Sequence, residues 1–273
     1  MSFETLLYAV TDGIGVITLN RPKVRNALDL QMRAELARLV MAIRTDESVR
    51  VVIITGADGA FCAGGDLRAM TQKRRTVEES RRRIHDLHVW LPQLVNLEKP
   101  VIAAVDGPAF GGGLSLALAA DFVLATPRAR FCAVFARIGL VPDMACMYLL
   151  PRIVGLARAK DLTFSARVFD AKEAHALGIV TSLHAPERLQ QDAIEFARRF
   201  LHASTLSIGL TKNILNQSHQ LDQHALAELE SYAQALCMDS KYHDAAMQTF
   251  LRGDDLAFRW ESLEKSGKKQ LTL

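Results

Sequence analysis

Along the first two-thirds of the chain, short β-branched runs alternate with stretches whose apolar residues recur every three to four positions; the last third keeps only the second pattern. Residues 3–10 and 15–19, joined through Thr11-Asp12-Gly13, predict a β-hairpin, which Asn20-Arg21-Pro22-Lys23 ends. Asp29 is placed to cap a helix over 30–44, with Met32, Leu36, Leu39, Val40 and Ile43 on one face. A buried strand over 49–55 follows. A loop of small residues, Ala60-Phe61-Cys62-Ala63-Gly64-Gly65-Asp66-Leu67, and a basic stretch over 68–83 lead to a helix that reaches Leu97. Residues 101–105 predict a second buried strand, closed by the turn signal Asp106-Gly107-Pro108. Gly111, Gly112 and Gly113 then open an uncharged helix over 114–120. Short strands over 121–125, 130–133 and 179–183 alternate with helices between Pro142 and Pro151, over 156–165 and over 171–177. Helices over 187–202, 204–217, 222–238 and 240–252 complete the pattern.

Alternation followed by helix alone predicts an α/β core over 1–195 and an α-helical C-terminal region over 196–273. The tail helices carry Ile208, Leu210, Ile214, Leu215, Leu226, Leu229 and Leu236 among polar residues. Such faces either cover their own core or reach a neighbouring subunit.

Composition narrows the class. In 273 residues, 33 Lys and Arg against 30 Asp and Glu give a net charge of +3, which argues against a nucleic-acid partner. The four cysteines form no C-x-x-C pair, so neither a disulfide framework nor a structural zinc site is expected. No apolar run approaches the ~20 residues of a membrane span, and residues 1–10 lack a signal core, so a cytoplasmic protein without a membrane partner is expected.

Two loops share one character: Ala63-Gly64-Gly65-Asp66-Leu67 and Gly111-Gly112-Gly113-Leu114-Ser115. Each follows a buried strand and leads into a helix, and parallel strands bring such loops to one edge. Glycine there allows tight turns and close packing; it also exposes first-turn N–H groups to a ligand. Two amides converging on one oxygen stabilise an oxyanion, either a thioester enolate or a tetrahedral intermediate.

In these loops, and in five ordered stretches overall, the chain resembles the crotonase superfamily, the enoyl-CoA hydratase/isomerase family. The matching residues are Gly15-Val16-Ile17-Thr18-Leu19-Asn20-Arg21-Pro22 with Asn26-Ala27-Leu28, then Phe61 to Leu67, Gly107 to Gly113, Ile138-Gly139-Leu140-Val141-Pro142, and Ala174-His175-Ala176-Leu177-Gly178-Ile179-Val180. The resemblance implies a crotonase-like spiral of ββα units, a homotrimer or dimer of trimers held partly by C-terminal helices, and an acyl-CoA thioester substrate with no separate cofactor. It places the oxyanion-hole amides on Gly65 and Gly112. It lays coenzyme A along Lys23, Arg25, Ala27, Ala63, Asp66 and Leu67, with Arg25 and Arg68 as phosphate partners.

The chain departs from the family's hydratases at both glutamate positions, which fall on Ser115 and Phe135. Asp143 is the remaining acid, at a place similar to the aspartate of the family's isomerases. One carboxylate can carry a proton from C2 to C4 of a 3-enoyl thioester while the amides hold the dienolate, and apolar surroundings from Phe135, Leu140, Val141 and Met144 would make it a stronger base. The alternative role for Asp143 is to cap a helix beginning near Met144. The reaction expected is therefore double-bond isomerisation; hydration with a water near Ser115, thioester hydrolysis and thioester binding without turnover are the alternatives.

Other patterns carry less. Gly113-Leu114-Ser115-Leu116-Ala117 falls short of a nucleophile elbow, so Ser115 reads as a helical serine bonding its backbone or holding a water near substrate. His85 and His88 lack a third metal ligand, and Lys73-Arg74-Arg75 and Arg81-Arg82-Arg83 read as solvated surface unless they attract phosphates.

Overall fold

The computed structural model describes residues 2–71 and 75–260. The hairpin forms: β1 (Leu6–Thr11) and β2 (Ile14–Leu19) pair antiparallel, with Leu6 opposite Leu19 and Thr11 opposite Ile14. Asp12 and Gly13 make the turn at φ of 50° and 80°, the left-handed values that match strand twist.

From β2 onward the large sheet is parallel. β3 (Val51–Gly56), β4 (Val101–Val105), β6 (Phe122–Ala125) and β9 (Ser182–Leu183) complete the order β1-β2-β3-β4-β6-β9. Alternate residues face opposite sides: Ile53, Ile102, Ala104 and Leu124 pack with Leu189, Ala193 and Ala197. Val52, Ile54, Val101, Ala103 and Val105 join the larger core with Leu36, Leu39, Trp90 and Leu91. The first face is covered by α8 (Leu189–Arg198); α1 (Leu30–Thr45) and α3 (Val77–Val95) lie with the second. Burial on both faces explains why β3 and β4 read as unbroken β-branched runs.

A smaller sheet stands beside it: β5 (Pro108–Phe110), β7 (Arg130–Cys132) and β8 (Phe169–Asp170). Bridges from Cys62 to Ala109 and from Leu28 to Gly65 extend that layer across both glycine loops. A strand of the large sheet, a piece of the small layer and a helix therefore follow one another repeatedly. Thus β3 leads through residues 62–65 to α2 (Leu67–Thr71) and α3, and β4 leads through β5 to α4 (Gly112–Leu118). This is the expected spiral of ββα units.

The departures are local. β5 and β8 are too short for a period-2 pattern, and β5 begins at Pro108, which supplies a strand's first residue without donating. The helix expected between Pro142 and Pro151 is α5 (Cys146–Val154), with Pro151 inside it. Met144 and Ala145 are left-handed at φ of 50° and 60°, which prevents an earlier start. After α6 (Leu156–Ser165) and α7 (Ala171–Ala176), the strand expected over 179–183 shrinks to β9.

The expected boundary at 195 falls inside α8. The helices beyond it are α9 (Thr205–Leu215), α10 (Gln223–Met238) and α11 (Lys241–Leu251). Lys212 anchors α9: its Nζ lies 2.7 Å from Asp121 Oδ2 and donates to the carbonyls of Leu97 and Lys99 at 2.8 Å. Neither α10 nor α11 has a buried residue, and Tyr232, Leu236, Phe250 and Leu251 are exposed. Lys73, Arg74 and residues 261–273 of the expected tail lie outside the described residues. Among the described residues no helix is long and apolar enough to cross a membrane.

Candidate active site

The rim of the site is built around Arg21 and Asn26, to which sequence reasoning assigned no role. After the 3-10 turn Pro22–Val24, Arg25 and Asn26 take left-handed φ of 50° and 57°. Buried Asn26 donates to the carbonyls of Ala57 at 3.0 Å and Ala60 at 2.7 Å, and its Oδ1 accepts from Arg21 N at 2.9 Å. The segment then runs beside the first glycine loop: Ala63 N donates to Arg25 O at 2.9 Å, Leu28 N to Gly64 O at 2.7 Å and Asp66 N to Leu28 O at 3.2 Å. Arg21 closes it by donating to Ala27 O at 2.6 Å and pairing with Asp29 and Asp66, each at 3.0 Å. Lys23, Arg25, Ala27, Ala63, Asp66, Leu67 and Arg68 are thereby gathered at one rim, with Lys23, Arg25, Leu67 and Arg68 exposed. The Asp66 carboxylate is held by Arg21, so its side chain serves the rim's architecture. The one available signal was the co-occurrence of Asn20-Arg21-Pro22 with Asn26-Ala27-Leu28.

The two glycine loops meet backbone to backbone. Cys62 N donates to Pro108 O and Phe110 N to Cys62 O, both at 2.9 Å. A Cβ on Gly64 would stand 2.6 Å from Phe110 O, and one on Gly113 would stand 2.1 Å from Cys62 O, so only glycine permits this approach. The same Gly64 position lies 3.5 Å from Gly112 N, so the loops bring their amides to one place. The N–H groups of Gly65 and Gly112 have no backbone acceptor among the described residues. Gly112 is the first residue of α4, where an amide has no partner within its own helix.

Asp143 is carried to these amides by its neighbours. Met144, buried, places its Sδ 3.0 Å from the position a Gly112 Cβ would take. Ser115, fully buried on α4, donates from Oγ to Asp143 O at 3.0 Å, with Gly111 O at 3.3 Å as a second acceptor. The hydroxyl is thus engaged with carbonyls and ties the backbone of Asp143 to α4. The helix-cap role for Asp143 does not form: α5 begins at Cys146, and its cap Ala145 contributes no side-chain hydrogen bond.

Burial pushes the Asp143 carboxyl above the ordinary aspartate range, against the lowering fields of Arg33, His88 and Arg83. The expected surroundings hold in part. Phe135 is 7% exposed, in the 3-10 turn Val134–Ile138 with its ring tip 3.8 Å from the Gly111 Cβ position, and Met144 is 1% exposed. Leu140 and Val141 face outward, because Gly139 turns the chain at φ 70° before they are reached. The cations were missed: Arg33 lay between apolar positions of α1, and Arg83 read as solvated surface. Cys62 near Arg33 is a fully buried thiol pushed up to about 12 by desolvation, a poor nucleophile. His85 and His88 join no group of three metal-ligating side chains among the described residues.

A cleft of about 560 Å³ between α9 and the core, lined by Leu118, Phe122, Tyr148, Ile208 and Lys212, contains none of these groups. The candidate groups gather instead at the glycine loops, at the junction of the two sheets.

The comparisons with known proteins agree with this geometry. The Enoyl-CoA hydratase/isomerase family matches residues 9–262. The 1,2-epoxyphenylacetyl-CoA isomerase of Escherichia coli is 33% identical over 91% of this chain and 95% of its own length. The crotonyl-CoA hydratase of Syntrophomonas wolfei is 34% identical over 92% and 96%. A crystal structure of an enoyl-CoA hydratase/isomerase from Cupriavidus metallidurans superposes with a TM-score of 0.90 at 41% identity, covering 95% of this chain and 97% of that one. With two paired glycine loops, free amides at Gly65 and Gly112 and a match over nearly its whole length, the chain belongs to the enoyl-CoA hydratase/isomerase family and is an enzyme of that family.

Proposed function

We propose that this enzyme moves a double bond in an enoyl-CoA thioester, with Asp143 as the single acid/base. The observation that supports the reading is the setting of Asp143: its backbone is tied to α4 by Ser115, its neighbour Met144 packs at Gly112, and burial raises its carboxyl toward a stronger base. The two positions that the family's hydratases fill with glutamate hold Ser115 and Phe135.

In this reading the thioester oxygen accepts from Gly65 N–H and Gly112 N–H. Asp143 takes the C2 proton of a 3-enoyl thioester, and the C2 electrons pass into the carbonyl to form a dienolate held by both amides. Asp143 then returns its proton to C4, the double bond settles between C2 and C3, and the carboxylate is restored. No cofactor is called for; coenzyme A enters as part of the substrate, along Lys23, Arg25, Ala27, Ala63, Asp66, Leu67 and Arg68. A trimer or a dimer of trimers gives α10 and α11 a surface on which to bury Tyr232, Leu236, Phe250 and Leu251.

The test is to offer the protein 3-enoyl and 2-enoyl thioesters and follow double-bond movement, hydration and thiol release together. Isomerisation outpacing the other two supports the proposal. Hydration as the dominant reaction, as the name of the S. wolfei relative would suggest, overturns it, and so does release of free thiol.

A further inference from the structure

Two arginines stand at the candidate site with nitrogen atoms that nothing among the described residues satisfies. Arg33 Nε and Nη1 and Arg83 Nε are buried and have no hydrogen-bond partner, and neither side chain forms an ion pair among the described residues. Arg33 comes from α1 and Arg83 from α3, two helices packed together. The charge of Asp143 acts on both, and Arg33 also feels Cys62 in the first glycine loop. The other acid whose field reaches Arg33, Asp29, is paired with Arg21, which leaves Asp143 against two arginines. An open groove along the start of α3, lined by Arg81, Ile84, His85 and His88, shares His88 with the groups that face Asp143 and is basic as well.

Buried guanidinium nitrogens without an acceptor are costly, and that cost is recovered when a ligand supplies the missing anion. The thioester oxygen does not meet that need, because the Gly65 and Gly112 amides take it. Resting on the isomerase reading for where the thioester lies, we infer that the acyl group carries a carboxylate, received by Arg33 and Arg83 between α1 and α3. The substrate is then the coenzyme A monothioester of an unsaturated dicarboxylic acid. A guanidinium suits this task because its fork of donors matches a carboxylate and it stays charged at any working pH.

The test compares matched thioesters of equal length, one ending in a carboxylate and one in a methyl group. Calorimetric binding of the saturated pair needs no turnover, and kcat/KM for the 3-enoyl pair is measured beside it. The whole protein is expected to favour the carboxylate form about tenfold or more, the scale of a charge-assisted hydrogen bond. Arg33→Met should bring the ratio close to one, Arg33→Lys should retain part of it, and Arg83→Met should lower it. Equal binding of the two saturated thioesters by the unaltered protein overturns the inference, whether or not the variants fold. A ratio unchanged in both Arg33→Met and Arg83→Met overturns it too. A carboxylate preference in binding with no isomerisation of either 3-enoyl thioester supports the inference and counts against the isomerase reading alone. Isomerisation of both forms at equal kcat/KM counts against the inference alone.

Discussion

The hydroxyl of Ser115 donates to the backbone carbonyl of Asp143 across 3.0 Å, so the residue at one family glutamate position ties down the proposed acid, which stands at neither of those positions. The bond joins α4, whose first amide is the proposed oxyanion donor, to the segment that turns through the left-handed pair Met144-Ala145. Ser115→Ala should leave the Asp143 carbonyl with the Cys146 N–H alone and loosen its tie to α4. We expect a loss of about 1 kcal/mol in stability and a fall in kcat larger than the change in KM. Thermal melting and steady-state kinetics on one 3-enoyl thioester check both.

The pH profile follows from burial. A base must be deprotonated to act, and the Asp143 carboxyl is raised by desolvation, so the acid limb of kcat/KM should lie above the ordinary aspartate value of about 3.9. Removing the lowering field of Arg33 with Arg33→Met should move that limb higher still. A raised folded-state pKa also means that the stability linked to Asp143 is present below its unfolded pKa and lost as pH rises through the folded value. At neutral pH, Asp143→Asn should therefore be at least as stable as the unaltered protein. Rate profiles and denaturant titrations at several pH values measure the two effects.

Acid sensitivity has a different origin in Glu35. Burial works against its charge, but Glu4 N and Thr5 N at 2.9 Å, the Thr5 hydroxyl at 2.6 Å and the Gln31 amide at 2.8 Å hold its pKa down to about 2. The stability this depressed carboxyl contributes is present above its unfolded pKa and is lost as pH falls toward 2. Glu35→Gln should cost about 1–3 kcal/mol at neutral pH and flatten the acid dependence, as read by urea unfolding.

The tail depends on Lys212. Lys212→Met removes the buried ammonium that holds Asp121 and the carbonyls of Leu97 and Lys99, while Asp121 stays open to solvent and keeps the Val101 N–H. It should destabilise the protein by about 1–3 kcal/mol and expose α9 first to hydrogen exchange.

The parts of the fold set by local pattern were legible. The apolar face of α1, the runs of β3 and β4 and the glycine loops all carry their reason within a few neighbouring residues. Asp143 was legible as a leftover acid, and Gly65 and Gly112 through the family motif. What escaped depends on partners distant in sequence. Glu35 sits on an apolar face because residues 4 and 5 cross it, and Asn26 is buried because the carbonyls of Ala57 and Ala60 come to it. Arg83 read as surface charge and Arg33 drew no reading, because Asp143, whose charge reaches both, lies far along the chain from them. Strands as short as β8 and β9 leave no periodicity to read.

The central claim is that Asp143 moves the proton. The most direct measurement is the rate at which Asp143→Asn isomerises a 3-enoyl-CoA thioester, set beside the unaltered protein under identical conditions with thioester binding verified. Asparagine keeps the shape of the side chain but cannot accept the C2 proton, so the account predicts a loss of about 100-fold or more in kcat with binding retained. Isomerisation at an undiminished rate would contradict it.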